Sequence, residues 1–125
     1  MEKLFESQDL YRKAGGVHTS ALCNTSNVLV AMEDIGRHNT LDKIAGWCIN
    51  NSISIAPSII LTTGRISSEM LQKSSRIGAS ILVSRTAPSS LAIELANKLG
   101  ICLIGYARRD RLKIYSYPEY VTDEQ

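Results

Sequence analysis

Residues 58–106 read SIILTTGRISSEMLQKSSRIGASILVSRTAPSSLAIELANKLGICLIGY. Three short apolar runs, 58–63, 81–85 and 101–106, alternate with two segments of helical character, 67–77 and 89–99. Strands rich in Ile, Leu and Val, each followed by a helix of about three turns, predict parallel strands joined by crossover helices. Ser67 and Ser68 open the first helix, and Gly78 closes it. Pro88 suits a first helical position, and Gly100 ends the second helix. In the second helix Leu91, Ala92, Leu95, Ala96 and Leu99 fall on one expected apolar face.

Working outward, residues 38–50 carry Leu41, Ile44, Ala45, Cys48 and Ile49 at i, i+3, i+4, i+7 and i+8, a helix with Asn39 as its expected cap. Before it, 17–23 and 28–32 read as a hairpin, which makes the sheet mixed. Residues 2–14 read as a first helix stopped by Gly15-Gly16. RLKIYSY, 111–117, alternates and predicts a last edge strand. The fold class expected is α/β, three layers with a mixed central sheet, in a single domain over 1–125.

At 125 residues and 44% hydrophobic the chain can form one core, and composition excludes disorder. No apolar run approaches a membrane span, and the N-terminal residues lack a signal peptide's apolar stretch, so a cytoplasmic location is expected. Cys23, Cys48 and Cys102 form no CxxC and no zinc set. On apolar elements they read as core. Charge is uneven: residues 60–115 hold nine basic and three acidic side chains, with Arg108, Arg109, Arg111 and Lys113 close together. Such a patch suits an anionic partner such as a phosphate.

Ligands of such sheets bind beyond the carboxyl ends of the strands. There the chain places three similar junctions: EDIGRHN (33–39), TTGRISS (62–68) and SRTAPSS (84–90). Each combines an arginine, small residues and capping side chains at a helix start, where unpaired N–H groups suit phosphate. One such junction is ordinary capping; three, with the Arg108–Arg111 cluster, point to a phosphate-bearing ligand. Neither GxxxxGK[ST] nor GxGxxG occurs. A zinc deaminase needs H-x-E and P-C-x-x-C, whereas this chain has His38-Asn39-Thr40 and Thr63-Gly64-Arg65-Ile66, so no metal site is expected. His38 is the candidate for acid–base work or a ligand hydrogen bond, with capping or orienting its loop as the alternative.

Five motifs now line up: GGVH (15–18), EDIGRHNTLDK (33–43), TTGRISSEMLQK (62–73), TAPSSLAIELA (86–96) and IGYARRDRLKIYSYPE (104–119). In this order they resemble the FdhD/NarQ family of formate dehydrogenase accessory sulfurtransferases. The resemblance implies a cytidine-deaminase-like fold and a homodimer. It implies binding of the molybdenum or tungsten bis-molybdopterin guanine dinucleotide, for which GDP can substitute. Family partners are formate dehydrogenase and a cysteine desulfurase; no nucleic acid or membrane partner is expected. Carried over by motif, Tyr106, Ala107, Arg108, Arg109, Asp110 and Arg111 form the ligand loop. Arg37, His38, Asn39, Gly64, Arg65, Ser67, Ser89 and Ser90 match other pocket positions. The family's sulfur-carrying CxxC, upstream of the helix that precedes Gly-Gly-Val-His, does not occur here. No catalytic residue is therefore assigned, and sulfur transfer by these residues alone is not expected. A dimeric interaction module without catalysis is the alternative.

Overall fold

The computed structural model describes residues 17–24, 27–51, 58–108 and 111–120. The expected helix over 2–14 lies outside the described residues. Six strands form one sheet in the order β2-β1-β3-β4-β5-β6. They are β1 His18–Cys23, β2 Val28–Asp34, β3 Ile59–Thr62, β4 Ile81–Ser84, β5 Cys102–Gly105 and β6 Lys113–Ile114. The hairpin β1-β2 is antiparallel, and β1 also pairs antiparallel with β3. The run β3-β4-β5 is parallel, as its apolar strands predict, and β6 closes antiparallel on β5. The fold is therefore α/β with a mixed sheet.

Among the described residues three α-helices, α1 Arg37–Asn50, α2 Ser68–Ile77 and α3 Ser90–Leu99, connect the strands. Each follows a strand of the same direction and leads to the next, so they lie side by side on one face. Lys73 pairs with Asp42 at 3.0 Å between α2 and α1. The pleat divides the core by period two. Leu22, Ile60, Leu82 and Leu103 stand in register facing the helices, with Leu41, Ile44, Met70, Leu71, Ala92 and Ala96 packed on them. Ala21, Leu61, Val83 and Ile104 form the matching row of the opposite face.

Four local expectations are corrected. Helix α1 starts at Arg37, with Gly36 at the cap position and no side-chain cap. Asn39 lies inside the first turn, and its amide reaches back to Asp34 Oδ1 (3.2 Å). Pro88 precedes α3: it bridges in parallel to Ile66, and Ser89 becomes the cap, its N–H donating to the Ile66 carbonyl (3.0 Å). Three helix residues predicted inside, Ile49, Leu91 and Leu99, face out. Leu91 on α3 is 63% exposed and Ile49 on α1 is 78% exposed. Ala92 and Ala96 are fully buried, so α3 seats on the core through its small residues, and Leu91 and Leu99 turn away. Finally β6 spans two residues where seven were expected. The Ser116 hydroxyl takes the Leu103 N–H (2.9 Å) and donates to the Ile101 carbonyl (2.6 Å), replacing the ladder with side-chain bonds.

Candidate functional site

Because β2, β3, β4 and β5 run the same way, the loops that follow them emerge at one edge of the sheet. The first residue of β1, His18, lies there too, opposite Asp34. All three helices begin at this edge. They differ in how the start is satisfied. Ser67 Oγ accepts the Met70 N–H (3.2 Å), and Ser89 Oγ accepts the Ala92 N–H (3.1 Å). At α1 the carboxylate of Asp34 accepts the Gly36 N–H (2.9 Å) and pairs with Lys43 (3.0 Å). The Gly36 N–H first, then Lys43 and Asn39, bring its pKa down to about 2.

Direct contacts knit the junctions together. A Cβ on Gly64 would stand 2.8 Å from Arg37 Cβ and 3.0 Å from Arg37 Cδ, so the glycine lets the Arg37 stem lie on the loop after β3. The Gly64 carbonyl accepts from Ser84 Oγ (2.7 Å), and Ser84 Oγ accepts the Thr86 N–H (3.1 Å). The Thr86 carbonyl in turn accepts the Tyr106 N–H (3.2 Å). Gly105 has no room for a side chain: a Cβ would meet Tyr115 at 2.9 Å and Pro88 and the Thr86 carbonyl at 3.0 Å. Just past it Tyr106 holds φ 52° and is 47% exposed. A non-glycine residue in this left-handed region is strained, and such strain concentrates at functional loops.

The expected site residues occupy four junctions. Arg37, His38 and Asn39 form the first turn of α1; Gly64 and Arg65 follow β3; Ser67, Ser89 and Ser90 begin α2 and α3. Arg65, Ser90 and Arg111 are exposed, and His38 is half-buried. Ser67 and Ser89 commit their hydroxyls to capping. Arg108, itself exposed, donates from one terminal nitrogen to the Arg85 carbonyl (2.8 Å) and the Ala107 carbonyl (3.3 Å). Ala107 is fully buried. Arg109 and Asp110 lie outside the described residues. Asn39 braces Asp34 and is exposed.

Sequence reasoning passed over His18 and the hydroxyls beneath the edge. Burial first, and then the charge of Arg37, lower the pKa of His18 from its ordinary 6.5, favouring the neutral ring. Its period-two spacing from Ser20 and Leu22 was the available signal. The thiols fit the core reading for Cys23 and Cys102, both buried, while Cys48 is half-buried. Burial, reinforced by Glu119, pushes Cys102 up to about 11, and burial also raises Cys48. Neither is a ready thiolate nucleophile. No three His, Cys, Asp or Glu side chains gather to hold a metal among the described residues. No described helix is long and apolar enough to cross a membrane.

Comparison with known proteins agrees with this architecture. The cyanophage S-TIM5 dCMP deaminase superposes with a TM-score of 0.60 over 83% of this chain and 94% of that one, at 12% identity, which shows the shared deaminase-like fold alone. A solved structure from Desulfotalea psychrophila, assigned as a formate dehydrogenase accessory protein, superposes with a TM-score of 0.86 at 37% identity, over 97% of this chain and 52% of that one. The sulfur carrier protein FdhD of Bacillus subtilis (strain 168) is 42% identical over 98% of this chain, and that of Staphylococcus aureus (strain MRSA252) 40% over 100%. The chain spans about half the length of these relatives, 47% in both. The FdhD/NarQ family pattern matches residues 1–122, and the chain belongs to that family.

Proposed function

We propose that this sheet edge binds the guanine-dinucleotide part of the molybdenum or tungsten bis-molybdopterin cofactor, carried as cargo, during its sulfuration and insertion into formate dehydrogenase. The observation that carries the reading is the meeting of three helix starts with Arg37, Arg65, Arg85 and Arg108 along one edge. Exposed N–H groups and guanidinium forks are the two protein groups best suited to a diphosphate. The edge carboxylate Asp34 is already matched by Lys43. The names of the relatives, sulfur carrier and formate dehydrogenase accessory proteins, support the same role. Sulfur delivery belongs in this reading to a CxxC that these residues do not contain, with a cysteine desulfurase as donor and a homodimer as the working unit.

Calorimetry with GDP tests the reading. Arg65→Ala and Arg111→Ala should each weaken binding about tenfold, the worth of one charge-assisted contact. Affinity of the parent should fall steeply with salt. No binding by the parent, or unchanged affinity in both variants, overturns it. The exposed Leu91 and Leu99 on α3 favour a second reading, a dimeric interaction module. Self-association without GDP binding selects that one.

A further inference from the structure

Directly beneath the edge, where the helix-facing rows of the sheet are otherwise apolar, the chain buries a row of hydroxyls. Ser20 pairs in register with Thr62, and Thr62 with Ser84. All three are at most 2% exposed, and Thr40 of α1, packed above them, is fully buried. Apolar side chains of similar size would fill these places at no desolvation cost, so the hydroxyls call for an explanation in what they hold.

They hold the junctions to one another. Thr40 Oγ1 lies 2.6 Å from the Arg37 carbonyl and 2.6 Å from Ser20 Oγ, sharing its proton at the first turn of α1. Ser20 Oγ donates to Thr62 Oγ1 (2.9 Å). Thr62 Oγ1 accepts the Gly64 N–H (3.2 Å), and Ser84 Oγ donates to the Gly64 carbonyl (2.7 Å). Ser84 then accepts the Thr86 N–H (3.1 Å), with Thr86 Oγ1 also 3.1 Å away. One connected path thus runs from Arg37 through Gly64 to Thr86. It reaches three of the four junctions and fixes the glycine on which Arg37 rests at both its N–H and its carbonyl.

We infer that Ser20, Thr40, Thr62 and Ser84 are positioning residues that lock the loops after β2, β3 and β4 into one arrangement, so that Arg37, Arg65 and Arg85 present a single anion-binding geometry. Ligand positioning rests on the nucleotide reading above; the mechanical coupling of the loops does not. A hydrogen-bonded chain in a low-dielectric interior is stiff and costly to break at any link, because each break leaves a buried partner unmatched.

The test uses the whole chain, with Thr62→Val, Thr62→Ser and Ser20→Ala. Ser20→Ala adds no bulk and keeps the experiment interpretable if Thr62→Val does not fold. Thr62→Val and Ser20→Ala should weaken GDP binding at least about fivefold. Thr62→Ser should return it to within about twofold of the parent, and the Thr62→Val loss should shrink in an Arg37→Ala background, since coupled groups are not additive. Amide hydrogen exchange should accelerate at Gly64 and, through Ser84, at Thr86. Full GDP affinity in the folded hydroxyl-free variants, or no rescue by Thr62→Ser, overturns the positioning role. Acceleration confined to the mutated strand overturns the coupling. If the parent binds no GDP, the nucleotide reading fails, and the exchange arm decides the coupling by itself.

Discussion

The start of α1 and the starts of α2 and α3 look alike in sequence but are built differently. Ser67 and Ser89 cap their helices with neutral hydroxyls, so the positive end of each dipole is left without a counter-charge from its cap. Helix α1 brings its own anion, Asp34, which Lys43 then neutralises. On the nucleotide reading, an incoming phosphate would meet least competition at α3, because α2 carries Glu69 in its own first turn and α3 carries no acid there. The first junction contributes chiefly the Arg37 side chain, laid across Gly64. A recurring sequence pattern can thus divide one task between charge reception and arginine presentation.

The strongest way to break this division is Gly64→Ala. The new Cβ meets Arg37 Cβ at 2.8 Å, too near the backbone for a rotamer change to relieve it. Overpacking of this kind costs about 1–3 kcal/mol, and GDP affinity should fall more than in any single arginine variant; thermal melts and calorimetry on one preparation check both. The caps sharpen the comparison with smaller effects. Ser67→Ala and Ser89→Ala should each cost about 1 kcal/mol in denaturant unfolding. Asp34→Asn should instead change the acid limb. A carboxylate with its folded pKa lowered adds stability that is present above its unfolded value of 3.8 and lost as pH falls toward 2. The parent should lose stability across that window and Asp34→Asn should lose less. The smallest effect belongs to the thiols: Cys48→Ser should leave GDP binding unchanged, and Cys102 should resist a thiol reagent at pH 8 until the protein unfolds.

The parallel strands, the helix between each pair and the opening of α2 at Ser67 were legible because hydrophobic period and capping chemistry are local. Asn39 shows where locality fails. Its sequence position suits a cap, but the Asp34 carboxylate already takes the Gly36 N–H, and the helix begins two residues earlier. Leu91 and Leu99 fail for another reason. A stripe of five apolar residues is wider than the face α3 turns inward, and Ala92 and Ala96 allow the closer approach. At β6 the Ser116 hydroxyl displaced a ladder that alternation alone would extend. The candidate site was read as three junctions and an arginine cluster. His18 and the buried hydroxyls were not, because serine and threonine in a strand carry no signal of what lies across the sheet.

By itself the sequence determined the order of elements, the mixed sheet and the placing of arginines at the strand ends, since each follows from short-range pattern and from strand direction. Tertiary structure alone decided which hydroxyls bond in series, that Arg37 rests on Gly64, and that Arg108 is held by the Arg85 carbonyl. The links that join one junction to the next connect residues 20 or more positions apart, set by sheet register and helix seating. Single-chain periodicity contains no term for them.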